Sequence, residues 1–354
     1  MSTFVFQSDI DEVVAALGDE AQGFSGKTVL LSGGRGFLGR YFTAVFRTLN
    51  SSVLAEPCKL IVVDNLITAD TDEEVPPDSD TFRFVKHNII EPLEIEERPD
   101  FVVHAAGIAS PYYYRAHPLE TLEVGIHGTR NMLSLAEAQG ARCLFFSSSE
   151  IYGDPDPSLV PTEEGYRGNV SCQGPRACYD ESKRIGETIC YIYHEMHGVK
   201  TNIVRPFNVY GPGMKENDFR VLSNFGNRIQ AKKPLKVYGT GNQTRTYCYV
   251  VDALNGFLRI MLRGVPGETY NIGNPEPEIS VLDLAQRVQE VVARDLEFHI
   301  VGYPDDYPGD EPKRRCPDIR KARIQLGYEP RITLEEGLRR FFRWTSEHYT
   351  GKQW

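Results

Sequence analysis

The chain has 354 residues, of which 41% are hydrophobic and 25% are charged, and its formal net charge at pH 7 is −10. Such proportions are typical of a globular protein that buries one large core or two closely joined ones. The negative balance argues against nucleic acid and against an anionic membrane surface as the main partner. No run of about 18 apolar residues predicts a membrane span.

The N-terminal segment, residues 1–25, is acidic and lacks both a basic start and a long apolar core, so it is not expected to be a signal peptide. Its apolar residues at 13–17 predict a short helix that lies on the main domain and has no chemistry of its own. The seven cysteines of the chain are odd in number and form no C-x-x-C pair. We therefore expect free thiols and a reducing, cytoplasmic location.

A glycine-rich loop follows a short apolar strand predicted at residues 28–32 and precedes an apolar helix. Glycine allows the backbone to turn tightly and to approach a ligand closely, and a helix N-terminus offers free N–H groups to a pyrophosphate. The spacing fits Gly-x-Gly-x-x-Gly from Gly34 and also Gly-x-x-Gly-x-x-Gly from Gly33. The loop therefore predicts a bound dinucleotide without choosing a subfamily; its sequence is Gly33-Gly34-Arg35-Gly36-Phe37-Leu38-Gly39.

A second buried strand is predicted at residues 60–63 and ends on Asp64 and Asn65. A carboxylate at this point accepts hydrogen bonds from the ribose hydroxyls of an adenosine and repels a 2′-phosphate, which favours NAD over NADP. Asp64 lies about 25 residues after Gly39, near the usual offset, so we prefer this role to that of a simple loop-starting aspartate. The Asp-, Glu- and Pro-rich residues 70–80 predict an exposed loop.

Strands and helices alternate through the next 120 or so residues, and this order predicts a doubly wound parallel sheet. Beyond residue 211 the regularity loosens, which we interpret as a smaller lid domain, and residues 251–262 and 269–272 are expected to return the chain to the sheet. Capping boxes predict helices at residues 280–292 and 334–347. The alternating elements are strands at residues 82–85, 101–103, 144–146 and 201–204 and helices at residues 118–139 and 175–195.

Tyr179 and Lys183 lie four residues apart and so on one face of a helix. A nearby positive charge lowers the pKa of a phenol and lets tyrosinate act as a base near neutral pH. Such a pair is common on ordinary helices, but here it follows a glycine loop and a serine cluster at the end of a strand. The combination favours catalysis, with Ser148 bonded to the substrate hydroxyl that is oxidised and sharing its proton with Tyr179.

Five strings carry a resemblance to a known group of enzymes. They are Gly33-Gly34-x-Gly36-x-x-Gly39, Ser148-Ser149-Glu150-x-Tyr152-Gly153, Tyr179-x-x-x-Lys183, Arg205-Pro206-x-Asn208-x-Tyr210-Gly211-Pro212 and Gln243-Thr244-Arg245. Together they are similar to the extended short-chain dehydrogenase/reductase superfamily that modifies nucleotide sugars. Longer strings at residues 174–181, 220–225, 271–275 and 313–319 resemble its UDP-glucuronate decarboxylases. The resemblance begins at about residue 26.

The resemblance implies an α/β fold: a Rossmann domain (residues 26–206 and 237–272) that binds NAD, a smaller nucleotide-sugar domain (207–236 and 273–354) and an N-terminal extension (1–25). It implies no metal. The implied cofactor-binding residues are Gly33, Gly36, Phe37, Leu38, Asp64, Asn65, Asn88, Ile89, Ala105, Ala106, Tyr179, Lys183 and Pro206. The implied substrate-binding residues are Tyr112, Asn208, Arg220, Val221, Asn224, Tyr238, Arg245 and Arg314.

The reaction that the resemblance implies converts UDP-glucuronate to UDP-xylose with internal recycling of NAD. Tyr179, assisted by Lys183, takes the C4 hydroxyl proton as C4 is oxidised, and the new ketone lies β to the C5 carboxylate, so CO₂ leaves readily. The enolate is then protonated at C5, and C4 is reduced again. Ser148, Glu150 and Arg245 are the positions that the family uses to handle the sugar and its protons.

Two other enzyme activities and one non-catalytic role stay open. Ser149 stands where many dTDP-glucose 4,6-dehydratases have an aspartate, and a 4-epimerase needs no carboxylate at Glu150, so both are less favoured alternatives. A non-catalytic NAD-binding sensor has no reason to keep Ser148, Tyr179 and Lys183 together. The helices at 118–139 and 175–195 pair in dimers of this superfamily, so we expect a homodimer. The chain departs from the decarboxylase pattern at Arg35, Asn88, Ser148 and residues 105–108.

Overall fold

The computed structural model describes residues 5–69, 75–303 and 312–352. The strands in chain order are β1 (Thr28–Ser32), β2 (Lys59–Asp64), β3 (Phe82–Lys86), β4 (Phe101–His104), β5 (Arg142–Phe146), β6 (Lys200–Pro206), β7 (Val209–Tyr210), β8 (Leu235–Tyr238), β9 (Thr244–Arg245), β10 (Cys248–Tyr249), β11 (Thr269–Ile272), β12 (Ile279–Ser280), β13 (Phe298–Val301) and β14 (Arg314–Arg315). The α-helices are α1 (Gln7–Leu17), α2 (Phe37–Ser52), α3 (Pro111–Ala116), α4 (Pro118–Glu123), α5 (Thr129–Gln139), α6 (Ala177–His197), α7 (Val221–Gln230), α8 (Val250–Arg263), α9 (Val281–Val292), α10 (Arg320–Leu326) and α11 (Leu334–His348).

Seven strands form one parallel sheet in the order β11–β6–β5–β4–β1–β2–β3. Ser32 at the end of β1 pairs with Val63 on one side and with His104 on the other, so three strands end at the same edge. The chain reverses its direction of travel across the sheet between β1 and β4, and ligands of open α/β sheets bind outside the strand ends at such a point. The predicted doubly wound Rossmann fold is confirmed.

The sheet is buried on both faces, as a parallel sheet requires. Val29 and Leu31 of β1 face a core shared with α1, α2 and α8, whereas Leu30 faces a separate core shared with α5 and α6. Side chains of a strand point alternately to the two faces, so neighbouring residues of β1 serve different cores. None of the helices in the described ranges combines the length and hydropathy needed to cross a bilayer.

The smaller lobe lies at the carboxyl ends of the sheet strands and contains three short sheets. β8 pairs with β13, β9 lies between β12 and β14, and β7 pairs with β10. The domain boundary expected at residue 237 therefore falls within β8, whose partner strand belongs to this lobe. The capping boxes are confirmed: the Ser280 hydroxyl accepts from the Asp283 amide at 3.0 Å, and that of Thr333 from the Glu336 amide at 3.3 Å.

Two sequence predictions differ from the structure. Residues 251–262, which were expected to return the chain to the sheet, belong to helix α8, and their apolar run reflects burial between the sheet and α1. The helix expected at 118–139 is divided by a π-helical turn at Val124–Gly128, where a Cβ on Gly125 would lie 2.5 Å from the Ser182 carbonyl oxygen of α6. Helices α3, α7 and α10 were not predicted. Part of the loop predicted at 70–80 lies outside the described residues.

Candidate active site

A first cleft opens at the carboxyl ends of β1, β2 and β4. All ten predicted cofactor residues from this part of the sheet line it, so sequence reasoning and structure agree on its composition. They are Gly33, Gly36, Phe37, Leu38, Asp64, Asn65, Asn88, Ile89, Ala105 and Ala106.

The glycine loop forms a cradle that side chains would fill. Gly33 has φ +75°, and a Cβ there would lie 2.6 Å from the Ala106 nitrogen; a Cβ on Gly39 would lie 2.4 Å from the Gly33 carbonyl oxygen. Gly34 serves packing instead, because a Cβ there would meet Val62 of β2. Within the described chain no side-chain hydrogen bond caps the N-terminus of α2, and its first residues, 37–39, line the cleft. The cradle and the helix end together fit a pyrophosphate.

Asp64 holds a negative charge beside this cradle. Its Oδ2 accepts a hydrogen bond from the Arg35 amide at 2.9 Å, and its Oδ1 accepts one from the Leu66 amide at 2.8 Å. Both bonds come from backbone groups, so they fix the orientation of the carboxylate without neutralising its charge. The arrangement suits the ribose role predicted from the sequence.

A second cleft adjoins the first and shares six lining residues with it, namely Phe37, Leu38, Ala105, Gly107, Ala109 and Arg220. Most of the predicted catalytic and substrate residues line it, together with the predicted cofactor residue Pro206, although they come from α6, β6, α7, β8, β9 and the loops between them. They are Ser148, Glu150, Tyr179, Lys183, Pro206, Asn208, Arg220, Val221, Asn224, Tyr238 and Arg245.

Two predicted substrate residues do not line either cleft. Tyr112 is half exposed, and its ring lies 5.6 Å from that of Phe219, which lines the second cleft. The Arg314 guanidinium donates two hydrogen bonds to the Glu278 carboxylate, at 2.8 and 2.7 Å. The side chain of Arg314 is therefore engaged outside the cleft.

Tyr179 and Lys183 project from α6 into the second cleft. The Tyr179 ring stacks on that of Tyr114, with centroids 5.5 Å apart, and its hydroxyl interacts with the Ser148 side chain. Lys183 Nζ donates to the Phe146 carbonyl oxygen at 2.9 Å and lies 5.8 Å from the centroid of the Tyr179 ring. A Cβ on Gly107 would lie 2.8 Å from Nζ, so glycine at this departure from the family pattern leaves room for the lysine.

Burial opposes the charged forms of both groups. It raises the pKa of Tyr179 to about 12, although the Ser148 side chain and the charge of Arg220 act in the opposite direction. Burial also lowers the pKa of Lys183 to about 8. With its pKa raised in this way, the Tyr179 phenol keeps its proton at neutral pH. A further positive charge beside the ring is needed for Tyr179 to act as a base.

Three arginines surround Glu150 at the other end of this cleft. The Glu150 carboxylate accepts hydrogen bonds from Arg176 and from Arg315, whose side chain is only 4% exposed. Burial alone would raise the pKa of Glu150, but the charges of Arg176, Arg315 and Arg245 outweigh it and lower this pKa. Glu150 is therefore ionised and held in place.

Asp180 lies behind this group of arginines. Its Oδ2 is 3.7 Å from Arg176 Nε, and its Oδ1 has no hydrogen-bond partner among the described residues. Burial and the neighbouring Glu150 charge raise the pKa of Asp180. This carboxyl group therefore contributes less negative charge to the site than its residue type suggests.

From the sequence, one of the tyrosines 112–114 was expected to line the sugar pocket, and at least one of residues 313–315 to contact the substrate diphosphate or a partner subunit; the structure places Tyr114 and Arg315 in the second cleft. Sequence reasoning did not single out Arg176 as a site residue.

β14 runs parallel to β9 with Arg315 opposite Arg245, and alternation along a strand sends neighbouring side chains to opposite faces. Arg315 therefore reaches the cleft and Arg314 does not. What places Arg315 in the cleft is the parallel pairing of two dipeptide strands that lie 70 residues apart, and no local sequence pattern predicts such a pairing.

The chain is similar to known proteins along most of its length. The NAD dependent epimerase/dehydratase family model matches residues 29–273. UDP-glucuronic acid decarboxylase 1 of Danio rerio is 40% identical over 332 residues, which cover 93% of this chain and 75% of that protein. UDP-glucuronic acid decarboxylase 5 of Arabidopsis thaliana is 40% identical over 315 residues, 89% of this chain and 88% of that protein.

Solved structures show the same fold. An epimerase from Methanothermobacter thermautotrophicus has a TM-score of 0.76 at 26% identity, with 97% of this chain and 96% of that chain covered. The UDP-glucose 4-epimerase of Thermotoga maritima, solved with UDP-glucose, has a TM-score of 0.77 at 24% identity, with 90% and 99% covered. The shared architecture extends over both lobes.

Proposed function

The chain belongs to the NAD-dependent epimerase/dehydratase family, and from this we propose that it decarboxylates UDP-glucuronate to UDP-xylose. The observation that carries the choice of substrate is the cluster of guanidinium groups of Arg176, Arg245 and Arg315 that lines the second cleft around Glu150. Guanidinium groups recognise carboxylates through paired hydrogen bonds, and the C5 carboxylate of a uronic acid offers them an acceptor that a neutral hexose lacks.

The first cleft holds the cofactor. Residues 33–39 cradle the pyrophosphate, and Asp64 accepts hydrogen bonds from the adenosine ribose. When bound, NAD supplies a hydride acceptor for C4, returns the hydride at the end of each turnover and places a positive charge near the Tyr179 phenol.

The residues of the second cleft move protons and hold the sugar. Tyr179 Oη takes the proton of the C4 hydroxyl, and Ser148, whose side chain interacts with Tyr179, shares it. Arg176 and Arg315 orient the C5 carboxylate, and Glu150 keeps both guanidinium groups in place. Once C4 is a ketone, the C5–C6 electron pair passes into an enolate as CO₂ leaves. Protonated Tyr179 stabilises the enolate oxygen with a hydrogen bond.

The test is incubation of the purified enzyme with UDP-glucuronate, with products identified by mass spectrometry and NADH followed by absorbance. We expect release of CO₂ and a UDP-pentose with no net NADH. UDP-glucose, which lacks the carboxylate, is the matched control and should be returned without loss of carbon. Recovery of UDP-glucuronate unchanged or only inverted at C4 contradicts the proposal. A 4-keto-6-deoxy product from another sugar nucleotide establishes a 4,6-dehydratase instead.

We also propose a homodimer formed by the helices α4, α5 and α6. Large apolar side chains are exposed on α4 and α6, and burying such a set stabilises an interface. A monomeric mass in solution contradicts this proposal. The exposed residues are Leu119, Ile185, Tyr191, Ile192 and Met196.

The compartment is proposed from the cysteines. All seven are free thiols, and five of them are buried. Free thiols persist in a reducing compartment, so we propose the cytoplasm. The test is fractionation of the native host, and we expect to find the protein in the soluble cytoplasmic fraction.

A further inference from the structure

We propose that helix α1 positions one wall of the second cleft, called the sugar cleft from here on, and that Asp9 is the positioning residue of this helix. The wall is defined here as residues 209–214, which include Tyr210 and Met214 of the cleft lining. The inference rests on the proposed function only in that this cleft holds the nucleotide sugar. It gives a role to the N-terminal extension, for which the sequence predicted no chemistry.

Asp9 is a fully buried carboxylate that joins α1 to two other elements. Its Oδ2 accepts a hydrogen bond from Tyr249 Oη at 2.6 Å, and its Oδ1 accepts one from Arg340 Nη1 at 2.9 Å. Arg340 also binds Glu12 of α1 and Glu336 of α11. A buried carboxylate is costly without such partners, so these bonds hold α1, β10 and α11 in one arrangement.

The first connection to the wall runs through Tyr249. Tyr249 pairs with Tyr210 in the parallel β10–β7 ladder, and their rings lie edge to face with centroids 5.5 Å apart. Each of these strands has only two residues, and so short a ladder is weak by itself. Tyr210 donates from its own hydroxyl to the Leu334 carbonyl oxygen at 3.4 Å, and a second support is the ladder to Tyr249, which Asp9 holds from behind.

Two further connections reach the same wall. Tyr41 of α2, against which α1 packs, donates from its hydroxyl to the Pro212 carbonyl oxygen at 3.0 Å. The Asp9 charge adds to burial in raising the pKa of Tyr41, which keeps this donor protonated. Tyr349, which follows α11, donates to the Met214 carbonyl oxygen at 2.8 Å. All three connections reach residues between 209 and 214, and all involve elements that contact α1 or contain its partner Arg340.

The test compares Asp9→Ala with Asp11→Ala, since Asp11 is an exposed carboxylate on the same helix that bonds only Gln7 among the described residues. Hydrogen exchange of a peptide that covers residues 209–214 is measured in both purified proteins. We expect exchange to be about tenfold faster in Asp9→Ala and unchanged in Asp11→Ala. Equal exchange in both variants overturns the proposal.

Steady-state kinetics give the functional readout. The KM for UDP-glucuronate should rise about tenfold in Asp9→Ala, while kcat and the NAD content stay within about twofold of wild type, because the residues of the proton transfer lie on the other lobe. A loss of thermal stability with unchanged KM and unchanged exchange overturns the positioning role. If Asp9→Ala does not fold, Tyr249→Phe, which removes one hydroxyl, must give the same split between KM and kcat. A wild-type protein inactive on UDP-glucuronate refutes the proposed function but leaves the exchange comparison valid.

Discussion

The first cleft, here called the cofactor cleft, and the second cleft, the sugar cleft, share a wall but are built from different groups. The cofactor cleft is built around the glycine loop at the ends of neighbouring strands, with Asp64 held by two amide groups. The sugar cleft contains Glu150, Tyr179, Lys183 and four arginines, which lie up to 165 residues apart in sequence. Binding of the dinucleotide thus depends on local backbone geometry, whereas the chemistry depends on charges that meet only in the folded chain.

The two clefts should therefore respond separately to substitution, and the largest effect is expected at Tyr179. Tyr179→Phe removes the group that carries the C4 proton but keeps a ring that can stack on Tyr114. We expect turnover of UDP-glucuronate to fall by about 10²–10⁴-fold with the NAD content unchanged. Product analysis and the NAD released on denaturation provide the two measurements. A parallel loss of NAD would show that the clefts are not independent. If Tyr179→Phe leaves the biological function of the protein intact, a non-catalytic NAD-binding sensor is favoured.

The neighbouring arginines 314 and 315 give a matched pair for the sugar cleft. Arg315→Gln removes a buried partner of Glu150, and breaking such a pair costs about 3 kcal/mol, so kcat/KM should fall about 100-fold. Arg314→Gln breaks a partly exposed pair with Glu278, and we expect kcat/KM within about threefold of wild type. The reverse order of effects would support the substrate role predicted for Arg314 from the sequence.

Asp64→Asn tests the cofactor cleft alone. The amide keeps an acceptor for only one of the two loop amides that Asp64 binds, and it loses the charge that favours the ribose hydroxyls and repels a 2′-phosphate. The dissociation constant of NAD should rise about tenfold, and discrimination against NADP should weaken, while kcat at saturating NAD stays unchanged. Titration calorimetry and kinetics in excess NAD separate these effects. A lower kcat with unaltered NAD affinity would contradict the division between the clefts.

The smallest effect is a pH dependence of stability at Asp180. Burial raises the pKa of Asp180 above its ordinary value of 3.8, so the folded chain binds this proton more tightly than the unfolded chain. The resulting stability is present below about pH 4 and is lost as pH rises through the raised pKa. Asparagine does not ionise, so the Asp180→Asn variant does not lose this stability as pH rises. Scanning calorimetry should show that the Tm difference, variant minus wild type, increases by a few degrees between about pH 4 and neutrality. A difference in Tm that is constant with pH contradicts the assigned shift.

The sequence alone determined the parts of this protein whose geometry is local. The glycine spacing, the strand ends at Asp64 and residue 105, the capping boxes and the Tyr179–Lys183 helix face all follow from backbone rules that act within a few residues. Residues 251–262 were misassigned because a buried helix and a buried strand are equally apolar.

Only the tertiary structure decided which charges meet. Arg315 faces Glu150, and Arg314 faces away from it, because β14 pairs with β9 in one particular register. Arg176 completes the site from the turn before α6, and Asp9 reaches Tyr249 across 240 residues of sequence. Electrostatic partners depend on distance in space and on burial, and neither quantity is contained in the local order of residues.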